Sequence, residues 1–249
     1  MPSPGSRGTL GTMSRRTIYI LAFGGAAVIA AALIGGTVLS TRDSSKADSE
    51  AVTSAVTIQG AAAVNGLLAG IPQQGTMLGT ANAPVTLVEY ADLQCPYCAR
   101  VSTTDFPGIV RDYVRGGKVR VIFRGLSFVG PESETALQTA LAAGSQQRLW
   151  HVVQLLYANQ GAENSGWVTD DFLRGIGKAV PGLDVASMLG ARSAASVASA
   201  REEAQRSATT AGVTGTPTFA VGRTDGVLTL LQSNDAQTIR TALDAALAR

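Results

Sequence analysis

The chain contains 249 residues, of which 45% are hydrophobic, and its formal net charge is +2. This length allows one large domain or two small ones. Its basic residues form no patch interleaved with aromatic residues, so we predict no nucleic-acid partner. Two cysteines are too few for a scaffold stabilised by disulfides.

The N-terminal part of the sequence predicts a membrane anchor. Residues 17–40 contain no charged residue, and they exceed the roughly 20 residues that a helix needs to cross a bilayer. Arg15 and Arg16 precede this segment, which predicts that residues 1–16 are cytoplasmic. We therefore predict a single-pass protein of the cell membrane whose remaining chain is extracytoplasmic. A cleaved signal peptide is the alternative, because three consecutive alanines lie at residues 30–32.

A domain is predicted over residues 75–249, preceded by a linker at residues 41–74. Within the linker, the small apolar residues 55–68 predict a short helix. Residues 85–90 are short, β-branched and nearly uncharged, which predicts a buried strand. Glu89 is the exception, and a buried carboxylate at the strand end could exchange protons with a thiol through water. An exposed or cap-forming glutamate is the other interpretation.

The two cysteines follow this strand at the start of a predicted helix. Cys95 falls at the helix N-terminus, where unpaired N–H groups and the helix dipole favour a thiolate. Cys98 lies one turn further along and could attack a mixed disulfide formed on Cys95. Pro96 suits the first helical position, since its missing N–H would have no intrahelical acceptor. The spacing therefore favours a redox pair.

Other roles for the cysteine pair remain open. A structural disulfide would close a very short loop, so it would add little stability. Structural zinc usually needs four ligands. The only histidine, His151, lies far away in an apolar helical stretch, where we predict a structural role, so we predict no metal site. Two thiolates could still bind Cu(I), which makes a non-enzymatic copper module an alternative.

Beyond the cysteines, the pattern alternates helix and strand. Residues 96–116 predict a helix kinked at Pro107, because proline removes a helix hydrogen bond. Residues 118–124 alternate charged and apolar positions, which predicts a strand parallel to the first one after a right-handed crossover. Residues 131–212 show no strand pattern and predict a helical block.

The second informative stretch is residues 213–221. Pro217 begins a strand-like run, where its missing N–H suits the start of a strand. If the bond before Pro217 is cis, its loop would expose the backbone of Thr216 for pairing with an extended peptide. A last helix is predicted to begin after Asn234, which together with Gln237 resembles a capping box.

Three stretches together resemble the membrane-anchored, DsbA-like thiol–disulfide oxidoreductases of bacteria, in the thioredoxin superfamily: residues 83–90, 92–98 and 212–219. The resemblance covers about residues 75–249. It implies a thioredoxin-like α/β fold with a helical insertion at about residues 131–212, preceded by the transmembrane helix. It implies no bound cofactor.

The resemblance also implies roles for single residues. Cys95 would be the exposed nucleophile, Cys98 the resolving thiol, and Glu89 a buried acid that assists proton transfer. The proline at position 217 would be cis and pack beside the disulfide. The residues implied to contact a bound peptide are Pro96, Tyr97, Thr216 and Pro217.

These roles predict an enzyme that introduces disulfides into exported proteins carrying thiols. A membrane redox partner would reoxidise its dithiol, and we predict a monomer. Tyr97 stands where strong oxidases of this family often carry a histidine. Together with Thr216, it leaves a disulfide isomerase or reductase of the same fold as the alternative.

Overall fold

A computed structural model describes residues 57–249, and its centre is a mixed sheet of six strands. The strands are β1 (Gln73–Gln74), β2 (Met77–Leu78), β3 (Val85–Ala91), β4 (Val119–Gly125), β5 (Thr218–Arg223) and β6 (Thr229–Leu230). Their order is β1-β2-β4-β3-β5-β6, with β3 and β4 parallel and the other pairs antiparallel. The predicted parallel pair is therefore confirmed.

Helices cover the sheet and fill the long connection between β4 and β5. The α-helices of the described residues are α1 (Ala61–Leu68), α2 (Pro96–Thr104), α3 (Phe106–Ile109), α4 (Pro131–Gly144), α5 (Leu149–Ala158), α6 (Asp170–Lys178), α7 (Val185–Gly190), α8 (Ala195–Ala211) and α9 (Ala236–Leu247). A π-helical turn, Val110–Val114, follows α3, and a 3-10 turn, Ala191–Ser193, precedes α8. Helices α4 to α8 occupy the segment predicted as a helical insertion.

The central strand explains why the fold is built around residues 85–91. All seven residues of β3 are buried, since strands lie on both sides of it and helices cover its faces. The neighbouring β4 buries Val119, Val121 and Phe123 and leaves alternate residues half-buried, as its sequence pattern predicts. The register pairs Glu89 of β3 with Phe123 on one side and Phe219 on the other.

Trp150 ties the helical insertion to this sheet. Its ring stacks on Phe106 of α3, with centroids 5.1 Å apart, and meets Phe123 of β4 edge to face at 5.9 Å. The indole N–H donates to the carbonyl of Thr76 at 3.1 Å, so the polar end of this buried side chain is also satisfied. These contacts fix the start of α5 against α3 and β4.

The helix predicted over residues 96–116 is divided. Helix α2 ends at Thr104, and Pro107 lies in the first turn of α3, where its missing N–H removes no helix hydrogen bond. The break therefore falls at Asp105, two residues before the proline, instead of at Pro107 itself.

The fold begins before the predicted boundary at residue 75. Residues 57–74, assigned to the linker from sequence, contain α1 and β1. Helix α1 buries Val64 and Leu68 and packs against α5. The Arg115 side chain donates to the carbonyls of Leu67 and Ala69 at the end of α1. This arginine follows the helix by more than 40 positions, so the local sequence does not reveal the contact.

The predicted anchor lies outside the described residues. Residues 1–16 and 17–40, expected to be cytoplasmic and membrane-spanning, both precede residue 57. Within residues 57–249, no helix combines the length and the hydropathy required to cross a membrane. The membrane location therefore stays a prediction.

Candidate active site

Cys95 and Cys98 lie where β3 leads into α2. A short turn after Ala91 ends at Cys95, which is the N-cap residue of α2, and Pro96 takes the first helical position as predicted. Both thiols are free. Cys95 is 6% exposed and Cys98 is fully buried. Cys95 is therefore the more accessible sulfur, although it is less exposed than the resemblance implied.

The environment of Cys95 favours its thiolate. Its pKa is lowered to about 6, chiefly by a hydrogen bond from the Cys98 thiol, while burial opposes this effect. The side chain of Thr216 and the backbone N–H groups of Cys98 and Tyr97 lower the pKa further. These N–H groups are the unpaired donors of the first helical turn. Cys95 is therefore mostly thiolate at neutral pH, which is the reactive form.

The environment of Cys98 has the opposite effect. Burial raises the pKa of Cys98 far above its usual value, and the hydrogen bond and charge of Cys95 raise it further. Cys98 therefore keeps its proton and shares it with the Cys95 sulfur. The site separates the two thiols into a ready nucleophile and a protonated partner that needs a base before it can react.

Glu89 is buried, which favours the first of the two interpretations drawn from sequence. It is 2% exposed, and its Oε2 atom is buried without a hydrogen-bond partner. Burial raises the pKa of Glu89 to about 8. Its charge also raises the pKa of Cys98, so the two groups are electrostatically coupled. A carboxyl group that titrates near neutral pH in this position is suited to exchange a proton with Cys98.

The loop before β5 completes the site. The Thr216–Pro217 peptide bond is cis. The Sγ atom of Cys95 lies 3.3 Å from the backbone carbonyl oxygen of Thr216. Strand β5 runs beside β3, with Thr218 opposite Tyr90, so the loop before one strand meets the turn after the other. The structure therefore brings together the two stretches that the sequence singled out.

Asp92 holds the turn that carries Cys95, a role that we did not predict from sequence. It is fully buried. Its carboxylate accepts the N–H groups of Gln94 at 2.8 Å, Phe128 at 2.7 Å and Val129 at 2.9 Å. The carbonyl of Asp92 accepts the N–H of Cys95 at 3.1 Å. One side chain thus joins the cysteine turn to the loop after β4.

Gln94 connects the same turn to the helical insertion. Its side chain is fully buried. The amide nitrogen donates to the hydroxyl of Ser133 at 3.1 Å and to the side-chain oxygen of Asn164 at 3.2 Å. The amide oxygen accepts the backbone N–H of Asn164 at 2.8 Å. Asp92 and Gln94 both lie in the stretch that carries the family resemblance, so the available signal in the sequence was their polar character beside the cysteines.

Two further side chains reach the turn from the end of α5. The Tyr157 hydroxyl donates to the carbonyl of Asp92 at 3.2 Å. The Gln160 amide donates to the carbonyls of Leu93 at 2.8 Å and Cys95 at 3.3 Å. Because Gln160 lies 65 positions from Cys95, no local pattern could have identified it.

The surface around the thiols includes exposed apolar side chains. Pro96 is exposed, and Tyr97 is 64% exposed. Phe128 is 47% exposed, and its backbone is bound to Asp92. Sequence analysis predicted substrate contacts for Pro96 and Tyr97, and both side chains are exposed, as such contacts would require.

His151 lies in a packing environment, separate from the dithiol. Its Nδ1 atom is 2.9 Å from the amide nitrogen of Gln73, whose oxygen accepts the backbone N–H of Trp150 at 3.1 Å. Burial, with a smaller effect from the charge of Arg148, lowers the pKa of His151 to about 4. Within residues 57–249, no group of three or more His, Cys, Asp or Glu side chains is arranged to hold a metal ion.

The fold and the site together define a class of protein. It is a thioredoxin-fold protein with a helical insertion and a cysteine pair at the start of helix α2. The chain belongs to the thioredoxin family, whose model matches residues 72–245.

Comparisons with individual proteins support the DsbA-like resemblance. Probable disulfide bond formation protein D of Bacillus cereus is 32% identical over 111 residues, which are 43% of this chain and 51% of that protein. The chain thus spans about half the length of this relative. The structure of oxidised BdbD from Bacillus subtilis has a TM-score of 0.62 and 23% identity, covering 72% of this chain and 98% of that one. Pseudomonas aeruginosa DsbA2 has a TM-score of 0.55 and 25% identity, covering 71% and 96%.

Proposed function

We propose that the chain is an extracytoplasmic thiol–disulfide oxidoreductase that introduces disulfides into exported proteins. The observation that carries this proposal is that the site lowers the pKa of Cys95 and raises the pKa of Cys98. The name of the Bacillus cereus relative, probable disulfide bond formation protein D, supports the same reaction.

The reaction begins with the oxidised Cys95–Cys98 pair. A substrate thiolate attacks the Sγ atom of Cys95, so the bond between the two cysteines breaks and Cys98 leaves with the electron pair. Cys98 then takes up a proton, for which Glu89 is the nearby buried acid. A second substrate thiolate attacks the substrate sulfur of the mixed disulfide and releases the thiolate of Cys95. The substrate loses two electrons, and the enzyme is left as a dithiol.

The low pKa of Cys95 supports the oxidative direction. A thiol of low pKa is a good leaving group, and its thiolate stabilises the reduced form of the enzyme. Stabilising the reduced form makes the disulfide a stronger oxidant. To act again, the dithiol must pass two electrons to an oxidant, for which we propose a redox partner in the membrane.

Trapping of mixed disulfides tests this proposal. In cells that produce Cys98→Ser, the thiolate of Cys95 attacks a disulfide of an exported protein, displaces one of its two sulfurs as a thiolate and forms a mixed disulfide. Because the resolving thiol is missing, these covalent adducts accumulate. Non-reducing gels and mass spectrometry detect these adducts, and the Cys95→Ser, Cys98→Ser double variant is the matched control. Complete absence of adducts from the single variant would remove the proposed activity.

Thiol labelling and membrane fractionation test the location separately, because neither measurement needs the enzyme to be active. After intact cells are treated with a membrane-impermeant phosphine that reduces the disulfide, a membrane-impermeant thiol reagent should label Cys95 of the full chain. Deleting residues 1–40 should release the protein from the membrane fraction. Labelling only after cell lysis would contradict the extracytoplasmic location.

An isomerase or reductase is the alternative, and Tyr97 between the cysteines favours it. That activity requires the dithiol to be reduced in resting cells, whereas an oxidase keeps the disulfide. Acid quenching followed by alkylation measures the resting state. A mostly reduced pair would select the isomerase or reductase.

A further inference from the structure

The Gln160 side chain supplies a hydrogen-bond donor that the carbonyl of Leu93 cannot obtain from the third residue after it. In a turn that leads into a helix, such a carbonyl can accept the N–H three residues further along the chain. Here that residue is Pro96, which has no N–H. The Gln160 amide donates to this carbonyl at 2.8 Å and to the carbonyl of Cys95 at 3.3 Å.

The direction of the Gln160 amide follows from its partners. Both partners are carbonyl oxygens, which can only accept hydrogen bonds, so the nitrogen must face them. The carbonyl of Cys95 also accepts the N–H of Ala99 at 3.1 Å, the first bond of α2. Gln160 therefore binds the turn at the point where it becomes the helix that carries Cys98.

We infer that Gln160 is a positioning residue for Cys95, through which the helical insertion sets the reactivity of the nucleophilic thiol. The amide holds the backbone of the turn, so that the Sγ atom of Cys95 faces Thr216 and the N–H groups of the first helical turn. This inference rests on the proposed function, because it names a determinant of the same site outside the cysteine motif.

The test compares Gln160→Leu with Gln154→Leu. Gln154 is a buried residue of α5 whose amide donates to the hydroxyl of Ser102 on α2 at 2.8 Å, so the control also removes a hydrogen bond between the insertion and α2. The pKa of Cys95 is read from thiolate absorbance and from alkylation rates in the full-length reduced protein. We expect Gln160→Leu to raise this pKa by about 0.5–1, the scale of one hydrogen bond, and to slow alkylation at pH 5 by about 3- to 10-fold.

The control separates positioning from simple stabilisation. Gln154→Leu should lower the stability of the protein while leaving the pKa of Cys95 unchanged. If Gln160→Leu does the same, Gln160 only stabilises the fold and the inference is overturned. Should Gln160→Leu fail to fold, Gln160→Asn shortens the side chain so that its amide cannot reach both carbonyls, and the same rise in pKa is expected.

Failure of the positioning role of Gln160 can also be distinguished from failure of the proposed function. Mixed-disulfide trapping by Cys98→Ser tests the activity without changing Gln160. An ordinary pKa near 8.5 for Cys95 in the wild-type protein would overturn both proposals. A lowered wild-type pKa that Gln160→Leu and Gln160→Asn leave unchanged would overturn only the positioning role.

Discussion

The Sγ atom of Cys95 lies 3.3 Å from the carbonyl oxygen of Thr216, across 121 positions of the sequence. The pairing of β5 with β3 produces this contact, because the turn after one strand faces the loop before the other. A peptide that binds along the backbone of residue 216 would therefore meet the reactive sulfur. The cysteine turn and the loop before β5 therefore lie at the same end of the sheet.

Replacing Thr216 by valine tests the contribution of its side chain. The substitution keeps the shape and the backbone carbonyl but removes the hydroxyl, which helps to lower the pKa of Cys95. We expect this pKa to rise from about 6 by about 0.5–1. Absorbance of the thiolate against pH measures the change. Thr103→Val removes an exposed hydroxyl of α2 and should leave the titration unaltered; equal titrations in all three proteins would refute the role of Thr216.

Glu89→Gln should stabilise the reduced protein at neutral pH. The pKa of Glu89 rises from 4.5 to about 8 on folding because the carboxyl is buried. Between pH 4.5 and about pH 8, Glu89 of the unfolded chain has released a proton that the folded chain keeps, so the stability of the folded protein falls as pH rises. The cost at pH 7 is on the order of 3 kcal/mol, and glutamine avoids it.

Urea unfolding of both reduced proteins at pH 4.5 and pH 7 measures this difference. The wild type should lose stability relative to Glu89→Gln over that interval. Parallel curves would mean that Glu89 is ionised in the folded protein at its ordinary pKa. A rapid-mixing measurement on the same variant should show slower reduction of the disulfide, since the proton for Cys98 has lost its buried source.

Asp92→Ala should destabilise the protein by about 3 kcal/mol. The substitution leaves the N–H groups of Gln94, Phe128 and Val129 without their carboxylate acceptor in a buried position. Chemical denaturation measures the loss. Asp171→Ala, which removes an exposed carboxylate with a 3.9 Å ion pair, should change stability by less than about 0.5 kcal/mol. Similar losses in the two variants would contradict the role assigned to Asp92.

The sequence predicts the parts of the fold that depend on local periodicity. Burial explains the apolar run of β3 and the alternation of β4. The missing N–H of Pro217 explains why this proline precedes β5. The position of Cys95 at the start of α2 follows from the same local signals. These elements place the dithiol and the Thr216 loop correctly.

Features that depend on tertiary contacts were not predictable in this way. Both Asn234 and Asp235 are good helix-capping residues, and we predicted Asn234 for α9. The structure uses Asp235, whose carboxylate accepts the N–H of Thr238 at 2.8 Å. Asn234 instead donates to the carbonyl of Pro217 at 3.4 Å, a contact set by the path of a distant loop. Gln160 escaped prediction for the same reason.

The acid sensitivity of the fold should depend on His151. Burial keeps this ring neutral and lowers its pKa from 6.5 to about 4. As pH falls below 6.5, the unfolded chain binds a proton that the folded chain does not, so stability falls by up to about 3 kcal/mol on reaching pH 4. Protonation would also place a donor at Nδ1, where the ring now accepts from Gln73.

His151→Gln cannot take up this proton, so it should lose less stability than the wild type between pH 6.5 and pH 4. The difference between the two urea-unfolding series isolates His151 from the carboxylates that titrate in the same range. The pKa of Cys95 should be the same in both proteins, because His151 packs against β1 and does not contact the cysteine turn. An equal loss of stability in the two proteins would mean that the folded protein binds the proton at the ordinary histidine pKa. In that case Gln73 would have to release the ring, and the polar contact between β1 and α5 would open in acid.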